Sequence, residues 1–369
     1  MPGKVCVITT VHNPFDTRIF HKEAKTLAKA GYEVVLIAQH DKNEVVDSIS
    51  IIALPKPKNR VFRILFLGWK AYKIALKQNA DVYHFHDPEF IFFGILLKLY
   101  GKKVIYDVHE DVAKQILYKS WIGNRLLRKI ISKIFSFFEK IYSIFFSYII
   151  TATEGIAEKF LIEKTIVIRN VPSLELIDEI KPKNYKKEKK IIIYAGGLTR
   201  VRGIKEVIKA MEYMDTDYEL ALIGKWQSIG FKMECERLRG WEKTKYLGFL
   251  QLEKVLCYMK TADLGICLLF PEENYITGLP VKAFEYMACS LPIIMSEFYK
   301  DSNIFNECAL FARHDDPKDI GTKMKYILQD KVIRLKLGKL GRALVEKEYN
   351  WEKEKIKLLQ TYQKLNYIK

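Results

Sequence analysis

The chain has 369 residues, 49% of them hydrophobic, which is too long for one ordinary domain and enough to build two cores. Its formal net charge of +17 favours anionic partners, such as nucleotides, acidic lipid or nucleic acid, over cationic ones. Six cysteines without a CxxC pair, no signal peptide and no apolar run of about 18 residues argue for a cytoplasmic protein that is soluble or attached to a membrane face.

The first half of the chain alternates continuous apolar runs with helical segments. A helix is predicted over Thr17–Ala30, with Asp16 as its N-cap and Gly31 just beyond its end. Continuous apolar strands separated by helices are typical of parallel sheets covered on both faces. The predicted strands are Val5–Thr9, Val34–Ala38, Ile51–Ala53, Val82–His86, Val104–Val108, Ile149–Ala152 and Ile166–Ile168.

A charged segment that contains proline, Pro172–Lys190, predicts a linker, and the alternation restarts after it. The next predicted strands are Ile191–Ala195, Leu220–Ile223, Leu264–Leu268 and Leu291–Met295. The predicted helices are Ile204–Met214, Leu252–Lys260, Pro317–Gln329, Ile333–Glu348 and Trp351–Asn366. Two such halves predict an α/β protein with two Rossmann-like domains facing across a cleft, in which ligands bind at the carboxyl ends of the strands.

The stretch from Thr277 to Pro292 is the most informative in the chain. Lys282 and Glu285 stand at the start of a short predicted helix, directly after Thr277-Gly278-Leu279. The free backbone N–H groups and the positive dipole at a helix N-terminus bind anions, and a glutamate beside them can accept hydrogen bonds from sugar hydroxyls. This pattern indicates a nucleotide-sugar site; a solvated loop and helix is the alternative interpretation.

Histidines and carboxylates follow several strands of the first half. His109 ends one strand and is a candidate catalytic residue or an ordinary surface histidine. His84 and His86 point to the same side of another strand, but a zinc site needs at least a third ligand and none is evident, so we predict no metal. For His86 and Asp87 we predict contact with an acceptor, with a plain strand end as the competing interpretation.

Two interpretations also remain open for Asp16 and Arg18, which follow the first strand. Asp16 fits a helix cap, and Asp16 and Arg18 both lie at the carboxyl end of that strand, where they can equally face the cleft.

Residues 114–150 combine basic and aromatic side chains, and Glu139 is the single acidic residue among them. This composition is typical of helices that lie on an anionic membrane surface, although packing on their own domain is the alternative. Binding of nucleic acid is not predicted, because no nucleic-acid module signature is present. The residues concerned are Lys114, Lys119, Arg125, Arg128, Lys129, Lys133 and Lys140, with Trp121, Phe135, Phe137, Phe138, Tyr142, Phe145 and Phe146.

In its order and spacing of motifs, nearly the whole chain resembles the retaining glycosyltransferases of group 1 (family 4), which have the two-domain GT-B fold. The motifs are 16–20 (DTRIF), 31–37 (GYEVVLI), 84–88 (HFHDP), 106–110 (YDVHE), 194–198 (YAGGL) with Arg202-Gly203, and 280–288 (PVKAFEYMA). The resemblance implies an N-terminal acceptor domain over residues 1–172 and a nucleotide-sugar domain over 190–348. A C-terminal helix, 349–369, is expected to cross back to the N-terminal domain.

The resemblance also implies roles for individual residues. Arg202 stands where the family carries its phosphate-binding lysine, with Lys282 and Arg200 as secondary candidates. Gly196 and Gly197 would let the backbone approach the diphosphate. His109 matches the histidine that contacts the donor sugar near the reacting carbon, and Glu285 is expected to hold ribose hydroxyls.

The sequence departs from the family pattern at two of these places. Gly197 replaces a common arginine, and Thr277 stands where many members carry the first of two glutamates.

We therefore predict a metal-independent, retaining glycosyltransferase without a cofactor. It would move a sugar from a UDP- or GDP-linked donor to a lipid-linked or glycan acceptor in cell-surface polysaccharide or lipopolysaccharide assembly. We expect it on the inner face of the cytoplasmic membrane, bound to its anionic surface. The alternatives are a nucleotide-sugar epimerase of the same fold and a non-catalytic, membrane-associated binding protein.

Overall fold

The computed structural model describes residues 3–119, 122–182, 188–276 and 278–367. Contacts divide the chain into two compact units. The N-terminal unit consists of Met1–Asn170 together with Lys353–Lys369, and the C-terminal unit of Val171–Glu352. Each unit has one β-sheet with helices packed against it.

The sheet of the N-terminal unit has eight strands in the order β3-β4-β2-β1-β5-β6-β7-β8. All neighbouring pairs are parallel except β3 and β4. The central strands are continuous apolar runs because both faces of the sheet are covered, and Val5, Cys6, Val7 and Ile8 are fully buried. The strands are β1 (Lys4–Ile8), β2 (Glu33–Gln39), β3 (Glu44–Val46), β4 (Ile49–Leu54), β5 (Val82–Phe85), β6 (Lys103–Val108), β7 (Tyr148–Thr151) and β8 (Thr165–Val167).

Seven α-helices belong to the described part of this unit before residue 170. Asp16 caps the first helical segment, since its Oδ1 accepts hydrogen bonds from the backbone N–H groups of Arg18 and Ile19, as predicted. That segment starts as a π-helix, Ile19–Ala24. The helices are α1 (Lys25–Lys29), α2 (Arg60–Phe62), α3 (Gly68–Lys77), α4 (Ile91–Leu99), α5 (Val112–Tyr118), α6 (Arg125–Ser143) and α7 (Glu154–Ala157).

The sheet of the C-terminal unit has six parallel strands in the order β11-β10-β9-β12-β13-β14. Separate apolar clusters pack on its two faces, as in a Rossmann-like domain. The predicted class, an α/β protein with two Rossmann-like domains, is confirmed. The strands are β9 (Lys190–Ala195), β10 (Tyr218–Ile223), β11 (Thr244–Tyr246), β12 (Leu264–Cys267), β13 (Ile293–Ser296) and β14 (Ala309–Ala312).

The remaining helices follow the predicted pattern with three additions, α8, α10 and α12. Part of the segment predicted as a linker forms α8, and its Ile177 is buried in the core of the C-terminal unit. No helix among the described residues is both long and apolar enough to cross a membrane. The helices are α8 (Leu174–Glu179), α9 (Ile204–Ala210), α10 (Ile229–Glu236), α11 (Leu252–Thr261), α12 (Glu273–Ile276), α13 (Val281–Ala288), α14 (Pro317–Gln329), α15 (Lys331–Lys347) and α16 (Trp351–Tyr367).

Helix α16 starts in the C-terminal unit and continues into the N-terminal unit, as predicted. Its Tyr362 is fully buried, and the Tyr362 hydroxyl lies 2.8 Å from Nδ1 of His84 on β5. Lys103 at the start of β6 donates a hydrogen bond of 2.8 Å from Nζ to the carbonyl of Leu365, near the end of the helix. The helix therefore completes the core of the N-terminal unit.

Replacing Tyr362 with alanine should destabilise the N-terminal unit by about 3–5 kcal/mol, because it opens a cavity and leaves a buried histidine nitrogen without its partner. Hydrogen–deuterium exchange should show faster exchange over β5 and β6. Ile356→Ala is the control, since Ile356 lies on the same helix and is 54% exposed. Equal exchange in the two variants would contradict the role given to α16.

Candidate active site

The carboxyl ends of β1, β5 and β6 bring together a histidine–carboxylate cluster in the N-terminal unit. Five of its six side chains have almost no exposed surface, and His109 is the exception, with 18% of its side chain exposed. Buried charged groups are stable only when they are paired or neutralised. The cluster consists of Arg18, Glu23, His84, His86, Asp107 and His109.

Arg18 is the cation of this cluster. Its Nη2 lies 3.0 Å from both carboxylate oxygens of Asp107, its Nη1 donates to the Ile168 carbonyl at 2.9 Å, and its Nε lies 2.8 Å from Oε1 of Glu23. Burial alone would raise the pKa of Asp107, but the Arg18 guanidinium holds that pKa well below its usual range. Burial, reinforced by the Asp107 charge, raises the pKa of Glu23 well above its usual range despite Arg18.

The histidines form a chain that leads to the surface. The rings of His84 and His86 stack with centroids 4.6 Å apart, and Nδ1 of His86 lies 3.0 Å from Nε2 of His109. Burial, together with the neighbouring His84, lowers the pKa of His86 well below its usual value. Burial also lowers the pKa of His109, to about 4. Both imidazoles are therefore neutral at pH 7.

Asp87 holds the loop that follows β1. Its Oδ2 accepts hydrogen bonds from the Thr9 hydroxyl at 2.9 Å and from the Thr10 backbone N–H at 2.5 Å. The side chains of His86 and Asp87 are buried against protein groups, which gives no support to direct binding of an acceptor by either. Arg18 is likewise buried in its ion pairs and does not face solvent.

His12, which the sequence reasoning did not select, lies beside His109, with ring centroids 5.7 Å apart. Its Nδ1 is 3.3 Å from Oδ2 of Asp16, and its Nε2 is 3.8 Å from Oδ1 of Asp87. Burial opposes charge on His12, but Asp16, Asp87 and Glu110 together raise its pKa. The partly exposed end of the cluster is therefore lined by two histidines and the Asp16 carboxylate.

In the C-terminal unit, two cations lie beside the glycine pair that follows β9. Lys282 donates a hydrogen bond to the Ala195 carbonyl, and its Nζ lies 4.1 Å from the centre of the Tyr194 ring. Gly196 has a φ of +142°, and a Cβ at this position would collide with Nζ of Lys282. At Gly197 a Cβ would lie 3.0 Å from Nη1 of Arg202. Position 196 therefore requires glycine because of its positive φ, whereas a side chain at position 197 would need only a small movement of the flexible Arg202 side chain.

Arg202 and Arg200 differ in their surroundings. Arg202 is half-buried, and burial opposes its charge, while the hydroxyls of Tyr194 and Tyr275 raise its pKa. Arg200 is exposed, forms an ion pair with Glu234 and lies 4.6 Å from the Phe231 ring. Arg200 is therefore already neutralised, whereas Arg202 lies beside neutral hydroxyls.

The predicted glutamate lies close to the same cations. Burial raises the pKa of the Cys267 thiol at the end of β12 to about 11, Lys282 and Arg202 lower it, and Glu285 raises it. These three charged groups therefore all act on the same buried thiol. Gly278 and Leu279 are half-buried and directly precede α13. Thr277 lies outside the described residues.

Glu23 and Asp107 are the functional candidates that the sequence reasoning missed. Asp107 is a carboxylate inside the apolar strand β6, whereas Glu23 follows the polar residues His21 and Lys22 on the first helical segment. A charged residue in a buried element needs a partner, so the position of Asp107 was the available signal, and that of Glu23 gave none. The identity of the partner, Arg18, depended on the tertiary structure.

Sequence and structure comparisons identify the family and the fold of the chain. The sequence matches the family described as "Glycosyltransferase Family 4" over residues 17–159 and that described as "Glycosyl transferases group 1" over residues 177–344. A comparison with curated proteins by sequence gives no match.

Among solved structures, sucrose-phosphate synthase from Thermosynechococcus elongatus is similar with a TM-score of 0.77 at 19% identity, over 99% of this chain and 100% of that one. A glycosyltransferase from Rickettsia africae has a TM-score of 0.70 at 14% identity, over 99% of both chains. Anabaena HepE in complex with UDP and glucose has a TM-score of 0.73 at 12% identity, over 98% of this chain and 100% of that one. At these identities the likeness concerns the fold, which is GT-B. The two family matches, one on each half, show that the chain belongs to the group 1 glycosyltransferases.

Proposed function

We propose that the protein transfers a sugar, with retention of anomeric configuration, from a nucleoside diphosphate sugar to an acceptor hydroxyl. One observation carries this proposal: Arg202 and Lys282 lie beside Gly196 and Gly197 at the carboxyl end of β9. Within the described residues, neither cation has a carboxylate partner. Half-buried positive charge next to an open backbone is suited to a diphosphate.

The chemistry follows from where charge develops. As the bond between the anomeric carbon and the phosphate oxygen breaks, negative charge grows on the leaving diphosphate. We propose that Arg202 and Lys282 stabilise the transition state, in which this charge has developed, more strongly than they stabilise the bound donor. In this proposal no metal ion takes part. The acceptor oxygen forms its bond on the same face, and its proton passes to the leaving phosphate oxygen. Glu285 holds the ribose hydroxyls, and His109 contacts the sugar.

The choice of donor is guided by the similar structures. HepE has been solved with UDP-glucose, and the sucrose-phosphate synthase fold also aligns over the whole chain. We therefore propose a UDP-linked sugar as the first donor to test, with GDP-linked sugars next. An epimerase would convert the donor alone, whereas a transferase needs an acceptor for turnover.

Helix α6 supports a membrane-bound acceptor, because its polarity is the reverse of that of an ordinary surface helix. The residues it buries are Ser132, Glu139 and Ser143, with Glu139 accepting a hydrogen bond from the Tyr106 hydroxyl. Its apolar residues are exposed at helical spacing: Leu126, Ile130, Ile134, Phe137 and Ile141. An exposed apolar stripe of this length marks an interaction surface.

The charge of α6 indicates which partner covers the stripe. Exposed Lys129, Lys133 and Lys140 lie on the same helix. Basic side chains beside an apolar stripe fit anionic headgroups above an acyl layer. A second exposed apolar segment that the sequence reasoning missed includes Leu65 and Phe66 in the same unit. We propose that this unit binds the inner face of the cytoplasmic membrane and takes a lipid-linked or glycan acceptor there, for cell-surface polysaccharide assembly.

Arg202→Ala should weaken binding of the NDP-sugar by about 10- to 100-fold, because charge-assisted hydrogen bonds to the diphosphate are lost. A thermal-shift screen of UDP-, GDP- and ADP-sugars identifies the donor, and titration calorimetry then measures its affinity.

Arg200→Ala is the matched control for this experiment, since its guanidinium is paired with Glu234, and it should bind the donor as the unmodified protein does. Equal affinities of the two variants would remove Arg202 from the donor site.

Turnover should persist in the presence of EDTA, since fixed cations neutralise the leaving group. The measurement is release of nucleoside diphosphate from the identified donor, with a bacterial lipid extract as the source of acceptor. Activity that is lost in EDTA and restored by Mg²⁺ or Mn²⁺ would contradict this mechanism.

The double variant Ile134→Ser/Phe137→Ser should bind vesicles that contain phosphatidylglycerol at least roughly tenfold more weakly, because two apolar anchors are lost. Cosedimentation measures the bound fraction. The control is Ile229→Ser/Val332→Ser, which removes two exposed apolar residues from the C-terminal unit. Equal loss in both variants would show that binding is not specific to α6.

A further inference from the structure

We propose that Glu23 and His86 act as positioning residues that fix neutral His109 in the tautomer with its proton on Nδ1. Glu23 does so as a carboxylic acid that donates to Nε2 of His86, and His86 then donates from Nδ1 to Nε2 of His109. His109 thereby presents an N–H donor at the exposed end of the cluster. The role of this donor in sugar transfer rests on the proposed function, while the tautomer itself rests on the geometry of the N-terminal unit.

The first step of the argument is the contact between the two imidazoles. Nδ1 of His86 and Nε2 of His109 are 3.0 Å apart, a hydrogen-bond distance that requires one proton between two neutral rings. If His86 supplies that proton, His109 carries its own on Nδ1. If His109 supplies it, Nδ1 of His109 is a bare acceptor. Among the described residues, Nδ1 of His109 has no hydrogen bond, so it is the nitrogen left for a ligand.

Charge balance decides between the two directions. Arg18 contacts both carboxylates of the cluster, with Nη2 at 3.0 Å from the oxygens of Asp107 and Nε at 2.8 Å from Oε1 of Glu23. One guanidinium balances one carboxylate, and a second buried negative charge would be unbalanced. Both oxygens of Asp107 contact Nη2 of Arg18, and Nε2 of His84 lies 3.5 Å from its Oδ2. The neutral group is therefore Glu23.

The position of the acid proton follows from the charge nearest to each oxygen of Glu23. Oε1 lies 2.8 Å from Nε of the Arg18 guanidinium, where a positive charge disfavours a proton, so the proton belongs on Oε2. Oε2 lies 3.7 Å from Nε2 of His86, and neither atom has a hydrogen-bond partner among the described residues. A shift of less than about 1 Å brings the two atoms to hydrogen-bond distance. Each nitrogen and oxygen of the chain then has a single role, with Oε2 of Glu23 donating to Nε2 of His86 and Nδ1 of His86 donating to Nε2 of His109.

Two other arrangements are possible in principle. In the reverse direction, Nε2–H of His86 would donate to Oε2 of Glu23. Glu23 would then be ionised, which leaves a net negative charge in the core, or would carry its proton on Oε1, against the Arg18 guanidinium. In the second arrangement, Glu23, His84, His86 and Asp107 would bind a metal ion, since one ligand atom of each lies within 4.8 Å of the others. Arg18 opposes this, because its guanidinium already supplies the positive charge between the two carboxylates.

The test is a long-range ¹⁵N–¹H correlation spectrum of the full chain labelled at its seven histidines. At neutral pH we expect a protonated Nδ1 and a lone-pair Nε2 for His109, assigned by loss of its signals in His109→Gln. A protonated Nε2 on His109 overturns the proposal. Stoichiometric zinc in the purified protein, measured by elemental analysis, with shifts of the His84 and His86 signals on chelation, also overturns it.

Two substitutions of Glu23 provide the matched pair. Glu23→Gln keeps a neutral donor and an acceptor, so the His109 tautomer and the melting temperature should stay as in the unmodified protein. Glu23→Leu removes the donor and should release His109 to a mixture with the Nε2–H form. Loss of the tautomer in Glu23→Gln contradicts the proposal even if Glu23→Leu does not fold.

Turnover separates this inference from the proposed function. With a donor that binds both variants equally, Glu23→Leu should lower kcat at unchanged KM, and Glu23→Gln should restore it. Unchanged kcat in Glu23→Leu, together with the altered tautomer, overturns the positioning role and leaves the proposed function standing. Absence of any NDP-sugar binding in the unmodified protein counts against the proposed function, and the spectrum still decides the tautomer.

Discussion

The N-terminal unit depends on the neutralisation of one buried arginine. The Arg18 guanidinium joins Asp107 on β6 and the Ile168 carbonyl after β8, so segments far apart in the chain meet at one charge. Removing one partner of such a pair costs roughly 3–5 kcal/mol, because the other charge stays buried without compensation. Burial also lowers the pKa of His86 and His109 beside it, which keeps these two imidazoles neutral. The cluster therefore behaves as one unit, and only its end at His109 meets solvent.

In the C-terminal unit, by contrast, the two cations beside the glycine pair have neutral partners. Lys282 contacts a backbone carbonyl and an aromatic ring, and Arg202 lies beside tyrosine hydroxyls. Neutral partners orient a cation without cancelling its charge, so the field remains available to an anion. The glycines at 196 and 197 keep the backbone open at the same place. Within each unit, the chemical role of a cation depends on whether a carboxylate pairs with it. Arg18 is paired with carboxylates, whereas Lys282 and Arg202 have no carboxylate partner among the described residues.

Many of the helices and strands can be predicted from local sequence patterns. Helix α14 has the predicted bounds, Pro317–Gln329, because Asp316 caps it and proline suits its first turn. The short strands β3, β11 and β14 were missed, since three or four residues carry too little periodicity to distinguish a strand from a loop. The sequence predicts a linker where helix α8 forms, because the segment is rich in charged residues and only one side chain of the helix, Ile177, is buried.

By itself, the sequence determined the alternation of strands and helices, the family motifs and the basic, aromatic composition of α6. The tertiary structure alone decided which face of α6 is exposed, because periodicity shows that a helix has two faces but not which one meets the core. It also decided which charges cancel. Arg18 and Asp107 are 89 positions apart, and Arg200 and Glu234 are 34 apart, so their pairing depends on how the strands and helices pack. That packing left Arg202, two residues from Arg200, without a carboxylate among the described residues.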